Sequence, residues 1–177
     1  MTTDVLPEVR LRQIEERDLE LLERWLNIPD VRDVLELPGE VNRHHVKVWI
    51  FSRRLEVLMI DDADGTSVGF YLVYFAGYKR TNTREFDIAV PEARQKGVAK
   101  AAIRALEEWA FDQQELSGVW AKIFADNKPC IELVRACGWP LSEPEEGLDG
   151  NTGEPRDVVW TRMTPKLRVG ITERRGF

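Results

Sequence analysis

At 177 residues and a formal net charge of −6, the chain is long enough to bury a sizeable core in one domain and too acidic for a nonspecific nucleic-acid binder. No apolar run approaches membrane-spanning length, and Met1 to Asp4 supplies neither a basic nor an apolar leader, so a cytoplasmic protein with no membrane contact is expected. Cys130 and Cys137 fall on one predicted helix, about 10 Å apart along its axis; that is beyond disulfide reach, and neither a zinc site nor any other metal is indicated.

In chain order, Val9 to Arg12 predicts a short first strand. Asp18 is placed to cap a helix through Leu19, Leu22, Trp25 and Leu26, whose apolar spacing is helical, and Pro29 and Pro38 interrupt it. A second helix includes Val46, Trp49 and Ile50. Val57 to Ile60 alternates into a strand, Asp61, Asp62, Asp64 and Gly65 form a hairpin turn, and Val68 to Phe75 is the partner strand. Phe86 to Val90 continues the sheet, so four strands precede the most informative stretch of the chain.

That stretch is Asp87 to Ala110, a buried strand, a glycine-containing loop and an amphipathic helix in succession. The strand Ile88, Ala89, Val90 stops at Pro91 and Glu92. The loop runs Arg94, Gln95, Lys96, Gly97, Val98, Ala99. A helix opening there aims unpaired N–H groups and its positive dipole end across the loop, which suits a phosphate or pyrophosphate. The helix buries Ala102, Leu106 and Trp109, with Lys100, Arg104 and Glu108 opposite. Val119 to Phe124 reads as a fifth strand and Lys128 to Cys137 as the helix after it, ended by Gly138. Pro140 to Pro155 is rich in Gly, Pro and acids, with little room for a strand. Val158 to Met163 is the closing strand, and the tail beyond Pro165 has no assignment.

The R-x-x-G-x-A run of Arg94, Gly97 and Ala99, followed by Asn127, Cys130, Gly138 and Trp139 in the order N-x-x-[S/C/A], helix, G-[aromatic], resembles motifs A and B of the GNAT superfamily of acyl-CoA N-acetyltransferases. The opening, Val9, Leu11, Arg12, Arg17, Asp18, Leu19, Leu22, Trp25 and Pro29, resembles its RimJ/RimL-like branch. The resemblance implies an α/β (α+β) GNAT fold: one domain over 1–177, with a core at about 8–164 and a tail at 165–177. Its sheet is mixed and mostly antiparallel, of about six to seven strands, splayed between strands four and five and flanked by helices.

It also implies acetyl-CoA as co-substrate, a small-molecule amine or protein N-terminus as acceptor, and a homodimer as one assembly open to the chain. Backbone N–H groups of Gln95, Lys96, Gly97, Val98, Ala99 and Lys100 cradle the pyrophosphate, the lysine side chains lying on a solvated face. The strand around Ile88 and Val90 pairs with the pantetheine arm and offers an N–H to an oxyanion. Asn127 bonds the arm, caps the next helix, or does both.

At neutral pH only about one alkyl amine in a thousand is uncharged, so a proton must be removed. Asp87 is the nearest carboxylate to the implied thioester. Glu85, on the same strand face, and the pair His44 and His45 are alternatives. The tyrosine many relatives place seven residues after the asparagine is here Val134, and Cys130 is a weak acid for the leaving thiolate or a small packing residue; coenzyme A thiolate is also a good enough leaving group for water to suffice without a dedicated acid. Three activities follow: direct transfer to a primary amine, acyl-CoA binding without turnover, or a ping-pong route through acylated Cys130. The acids from Glu143 to Glu154 and the segment Glu36 to His45 are expected to frame the acceptor cleft.

Overall fold

The computed structural model describes residues 5–51, 55–75, 82–92 and 97–175. Six strands form one sheet in sequence order: β1 (Val9–Gln13), β2 (Leu55–Asp62), β3 (Ser67–Tyr74), β4 (Thr83–Ala89), β5 (Gly118–Phe124) and β6 (Val158–Met163). Every pairing is antiparallel except the parallel contact of β4 with β5. The centres of β2 and β3 are buried at nearly every position, because helices cover both faces there and alternation is unnecessary.

On one face lie α4 (Val98–Glu108), its continuation as a π turn over Trp109–Gln113, and α5 (Lys128–Ala136). They pack Ala102, Ile103, Leu106 and Val134 against Leu58, Tyr71, Phe86, Val119 and Ile123. On the other face α1 (Leu19–Leu26), α2 (Pro29–Val34) and α3 (Arg43–Phe51) bury Leu22, Trp25, Leu26, Val31 and Val46 against Val57, Met59, Phe70, Leu72 and Ala89. This second group of helices covers β2 and β3 but leaves that face of β5 and β6 without a described helix.

Asp18 does not cap α1. Its carboxylate accepts Arg12 Nη1 at 2.6 Å, Arg12 Nη2 at 2.9 Å and the Glu15 N–H at 2.8 Å. Arg12 Nε donates to Asp61 at 2.6 Å, and Ser67 Oγ donates to the same carboxylate, also at 2.6 Å. A long-range guanidinium outcompetes the local cap because it satisfies both carboxylate oxygens at once. Pro29 opens α2 rather than merely interrupting the chain, since a helix's first position needs no N–H.

Asp61 and Asp62 belong to β2, not to the turn. They pair with Arg10 and Val9, and Asp62 Oδ1 caps the turn by accepting the N–H groups of Asp64 and Thr66. The tail forms a helix that the sequence pattern does not signal, α6 (Pro165–Arg175), docked through buried Ile171 and through Arg168 bonding Asp112 at 2.8 Å. Between Trp139 and β6 only isolated bridges occur, at Leu141, Glu145 and Leu148, in keeping with the prolines there.

Candidate active site

The strand β4 is held to β3 from Glu85 to Ala89, and the Glu92 N–H bonds the Val68 carbonyl beyond it. Gly69 makes this closeness possible: a Cβ there would stand 2.4 Å from the Ala89 carbonyl oxygen. On its other edge β4 meets β5 only through Thr83, Arg84 and Glu85, which pair with Gly118, Val119 and Trp120. Past that point β5 follows β6 to Phe124 and the two strands diverge. The sheet is therefore splayed between strands four and five. The edge of β4 from Phe86 onward carries alternate N–H and C=O groups with no ladder partner on the β5 side, the kind of edge to which an extended amide chain adds as a strand.

A cleft occupies the splay. Its lining includes Phe86, Ile88, Ala121 and Ile123 from the face carrying α4 and α5, Asp87, Lys122 and Phe124 from the opposite face, Val34 and Leu35 of α2, and Asn127, Cys130 and Val134. Since successive strand residues point to opposite faces, a cleft lined by both sets passes through the sheet. A molecule entering from the α4 and α5 side reaches, at its far end, the side of Asp87 and Lys122.

Asp87 is the chemically distinctive group of this passage. Burial pushes its carboxyl up to about 7, with the nearby Glu85 and Glu36 adding to the rise, while a hydrogen bond from Tyr74 and the charge of Lys122 oppose it. No cation is bonded to it among the described residues. Glu85, two residues back on the same face, is also raised by burial. The Lys122 ammonium is engaged instead by Glu36, whose other carboxylate oxygen accepts the Gly150 N–H at 2.7 Å. Glu36 takes a left-handed backbone conformation, φ 51°, and so ties the end of α2, β5 and the acidic loop into one wall. Asp149 of that loop is not free to meet an acceptor, being tied to Arg156 at 3.0 Å and to the N–H groups of Asn151 and Thr152.

Asn127 ends the β5 turn and caps α5, its Oδ1 accepting the Cys130 N–H at 3.2 Å, with its side chain still lining the cleft. The Cys130 thiol is pushed up to about 11 by burial and by Asp87. A thiol so far from ionisation is a poor nucleophile.

Gly97 precedes α4 with φ 96°, a conformation that favours glycine. A Cβ there would meet Pro7 Cδ at 3.2 Å, so the absent side chain faces the N-terminal segment as well as serving the turn. The first turn, Val98, Ala99 and Lys100, carries no acidic residue and no side-chain cap, which leaves its positive end available to an anion. Gln95 and Lys96, and Arg94 beside them, lie outside the described residues. Ile88 lines the cleft, whereas Val90 lies one residue past β4 against Gly69. His44 and His45 sit exposed at the start of α3 and do not line the cleft, and His45 Nδ1 accepts the Asn42 N–H at 3.3 Å.

Glu36 opens the segment expected from sequence to frame the acceptor cleft, whereas Tyr74 and Lys122 are not among the sequence candidates. Of those two, only Lys122 had a readable signal, a charge inside an apolar strand. Among the described residues no three His, Cys, Asp or Glu side chains group to hold a metal ion, and no described helix is long and apolar enough to cross a membrane.

Residues 8–139 match the family described as Acetyltransferase (GNAT) domain. The chain superimposes on spermidine N-acetyltransferase from Vibrio cholerae in complex with CoA and spermine, with TM-score 0.80 and 17% identity over 91% of this chain and 98% of that one. For the aminoglycoside acetyltransferase AAC(6′)-Ib in complex with coenzyme A the values are 0.73 and 19%, over 94% and 98%. For a GNAT-family acetyltransferase from Bacillus anthracis they are 0.75 and 16%, over 90% and 97%. At these identities the likeness is one of fold. No curated protein sequence matches the chain.

Proposed function

The chain belongs to the GNAT acetyltransferase family, and from that membership we propose that it is a single-domain enzyme moving an acetyl group from acetyl-CoA to a primary amine by direct attack in a ternary complex. The observation that carries this reading is Asp87: a carboxyl raised to about 7, bonded to no cation among the described residues, on the far side of a cleft that passes between β4 and β5. The coenzyme's pyrophosphate rests on backbone N–H groups from Gln95 to Lys100, with Gly97 supplying the turn. Its pantetheine arm pairs with the β4 edge around Ile88 and Val90 and bonds Asn127, which places the thioester beside Asp87.

The acceptor amine, a small molecule or a protein N-terminus, loses a proton to Asp87, directly or through water. Its neutral nitrogen then bonds the thioester carbon, a β4 backbone N–H stabilises the oxyanion, and as the C–S bond breaks the extra proton on the nitrogen passes through water to the leaving sulfur, so that the N-acetyl amine and coenzyme A thiol are released. Cys130, protonated throughout, is a neutral S–H donor beside the leaving sulfur, and its raised value supports direct attack over an acylated cysteine. The likeness of the opening to the RimJ/RimL-like branch belongs to the same proposal. It says little of the acceptor, because Arg12 and Asp18 are spent on a structural ion pair.

The test is incubation with acetyl-CoA and a panel of primary amines, reading thiol release together with the mass of product and protein. The expected outcome is stoichiometric thiol and N-acetyl product with unmodified protein. Thiol release no faster than in buffer, or an acetyl adduct on Cys130, contradicts the proposal.

A further inference from the structure

Three of the described tryptophans, Trp25, Trp109 and Trp139, are buried, at 0%, 7% and 3% exposure. Trp120 and Trp160 differ: both are half-exposed and lie side by side on β5 and β6, ring centroids 5.6 Å apart and planes inclined by 49°. The register fixes their surroundings. Trp120 pairs with Glu85 on one side and Arg162 on the other, and Trp160 pairs with Lys122. Because paired residues share a face, Glu85, Asp87, Trp120, Lys122, Trp160 and Arg162 all face the side of the sheet from which the acceptor reaches the cleft.

Two adjacent, half-buried indoles present an aromatic surface that a ligand can cover. The charges around them favour a cation. Glu85 stands beside Trp120, and Glu145 accepts the Trp160 indole N–H. Among the described residues, Lys122 is already engaged by Glu36, and Arg156, stacked on Phe124, by Asp33, Asp126 and Asp149, which leaves Arg162 against Glu85, Asp87 and Glu145. Burial raises Glu85, so a positive group beside it recovers part of that cost. Glu85 is two residues from Asp87, roughly 6–7 Å along the strand, a span that a short alkyl chain covers.

We propose that Trp120 and Trp160, flanked by Glu85 and Glu145, form an acceptor subsite for the second ammonium of a diamine-like substrate whose first amino group is held at Asp87. This rests on the acetyltransferase reading above and names the acceptor class for it. The far ammonium sits on the indole faces, where cation–π attraction adds to carboxylate attraction. The near amine reacts. A monoamine lacks the group that the platform holds.

The test compares 1,4-diaminobutane with n-butylamine at saturating acetyl-CoA in the wild type and in Trp120→Leu, Trp160→Leu and Trp120→Phe proteins, each checked for an unchanged thermal melt. The expected result is a rise of about tenfold or more in KM for the diamine in both leucine variants. KM for n-butylamine and the affinity for acetyl-CoA stay within about twofold, and phenylalanine partly restores the diamine. Equal changes for the two amines, or none, overturn the subsite. If the wild type turns over neither amine, the transfer reaction fails, and the subsite is then decided by calorimetric titration of the diamine. Binding weakened in the leucine variants supports it, and no binding to the wild type overturns it. Dissociation of a dimer in the leucine variants, with diamine kinetics unchanged, assigns the platform to self-association and also overturns the subsite.

Discussion

Two acidic regions on one sheet have opposite electrostatics. At the β1 end, burial works against the charge of Asp18, yet hydrogen bonds from Arg12 and from the Glu15 backbone hold its carboxyl below the ordinary range. At the β4–β5 splay, burial acts on Asp87, which bonds no cation among the described residues, and its carboxyl rises to about 7. The first carboxylate is an ionised structural pin, while the second is poised to gain or lose a proton near neutrality. The contrast separates a charge spent on the fold from a carboxyl that burial brings to titrate near neutrality, the kind of group a proton-transfer role needs.

The largest effect should come from disabling the proposed coenzyme site at the start of α4 while leaving the Arg12 pair alone. Gly97→Asp adds a negative charge at the opening of α4, so coenzyme affinity should fall roughly a hundredfold, about 3 kcal/mol. Any side chain there meets Pro7 and a positive φ, so Gly97→Ala is the necessary control. It should share the loss in melting temperature while losing far less coenzyme affinity by calorimetry.

Breaking the other region should have the reverse signature. Arg12→Met leaves Asp18 and Asp61 buried without their cation, at a cost of about 2–3 kcal/mol in denaturant unfolding, moderated because the Arg12 side chain is 22% exposed. The kcat/KM of the folded fraction should not change. Because the folded Asp18 carboxyl lies below its unfolded value, its stabilisation is present above the ordinary carboxylate range and is lost as pH falls through the folded value. Wild type should lose more stability on acidification than the variant.

Asp87 carries the opposite sign. Its folded carboxyl is raised, so its contribution is complete at low pH and is lost as pH climbs from the ordinary carboxylate value to about 7. Asp87→Asn should therefore be more stable than wild type at pH 8, by about 1–3 kcal/mol after allowance for water at the cleft mouth, with the gap narrowing towards pH 5. The smallest effect belongs to Cys130. With its thiol raised to about 11, Cys130→Ala should lower kcat by less than about fivefold, under 1 kcal/mol, and iodoacetamide should label the wild-type residue slowly at neutral pH.

Much of the frame was legible in the sequence because its signals are local. Alternating and continuous apolar runs marked β2 to β6, the glycine loop and helical spacing marked α4, and Asn127 with Cys130 marked the start of α5. What the sequence hid depends on distance. Asp18 matches a helix cap locally, and only the folded β1 brings Arg12 to it. Glu36 reaches Lys122 across 86 residues of sequence, and Tyr74 reaches Asp87 only through the β3–β4 register. The α6 helix lacks a strong apolar stripe and is fixed by Ile171 and Arg168 docking, which no local pattern announces. Asp87 itself was visible as a carboxylate near the signature. Its elevation arises from burial in the splay, a property of the assembled sheet.

With Asp87 as the base for amine acetylation, the pH dependence of kcat/KM should differ between wild type and Asp87→Asn. The base must be ionised to act, so the wild-type value should rise through about pH 7. The variant should retain coenzyme binding, lose about a hundredfold or more in rate, and lack that rise. A variant with the wild-type profile and rate would contradict the assignment.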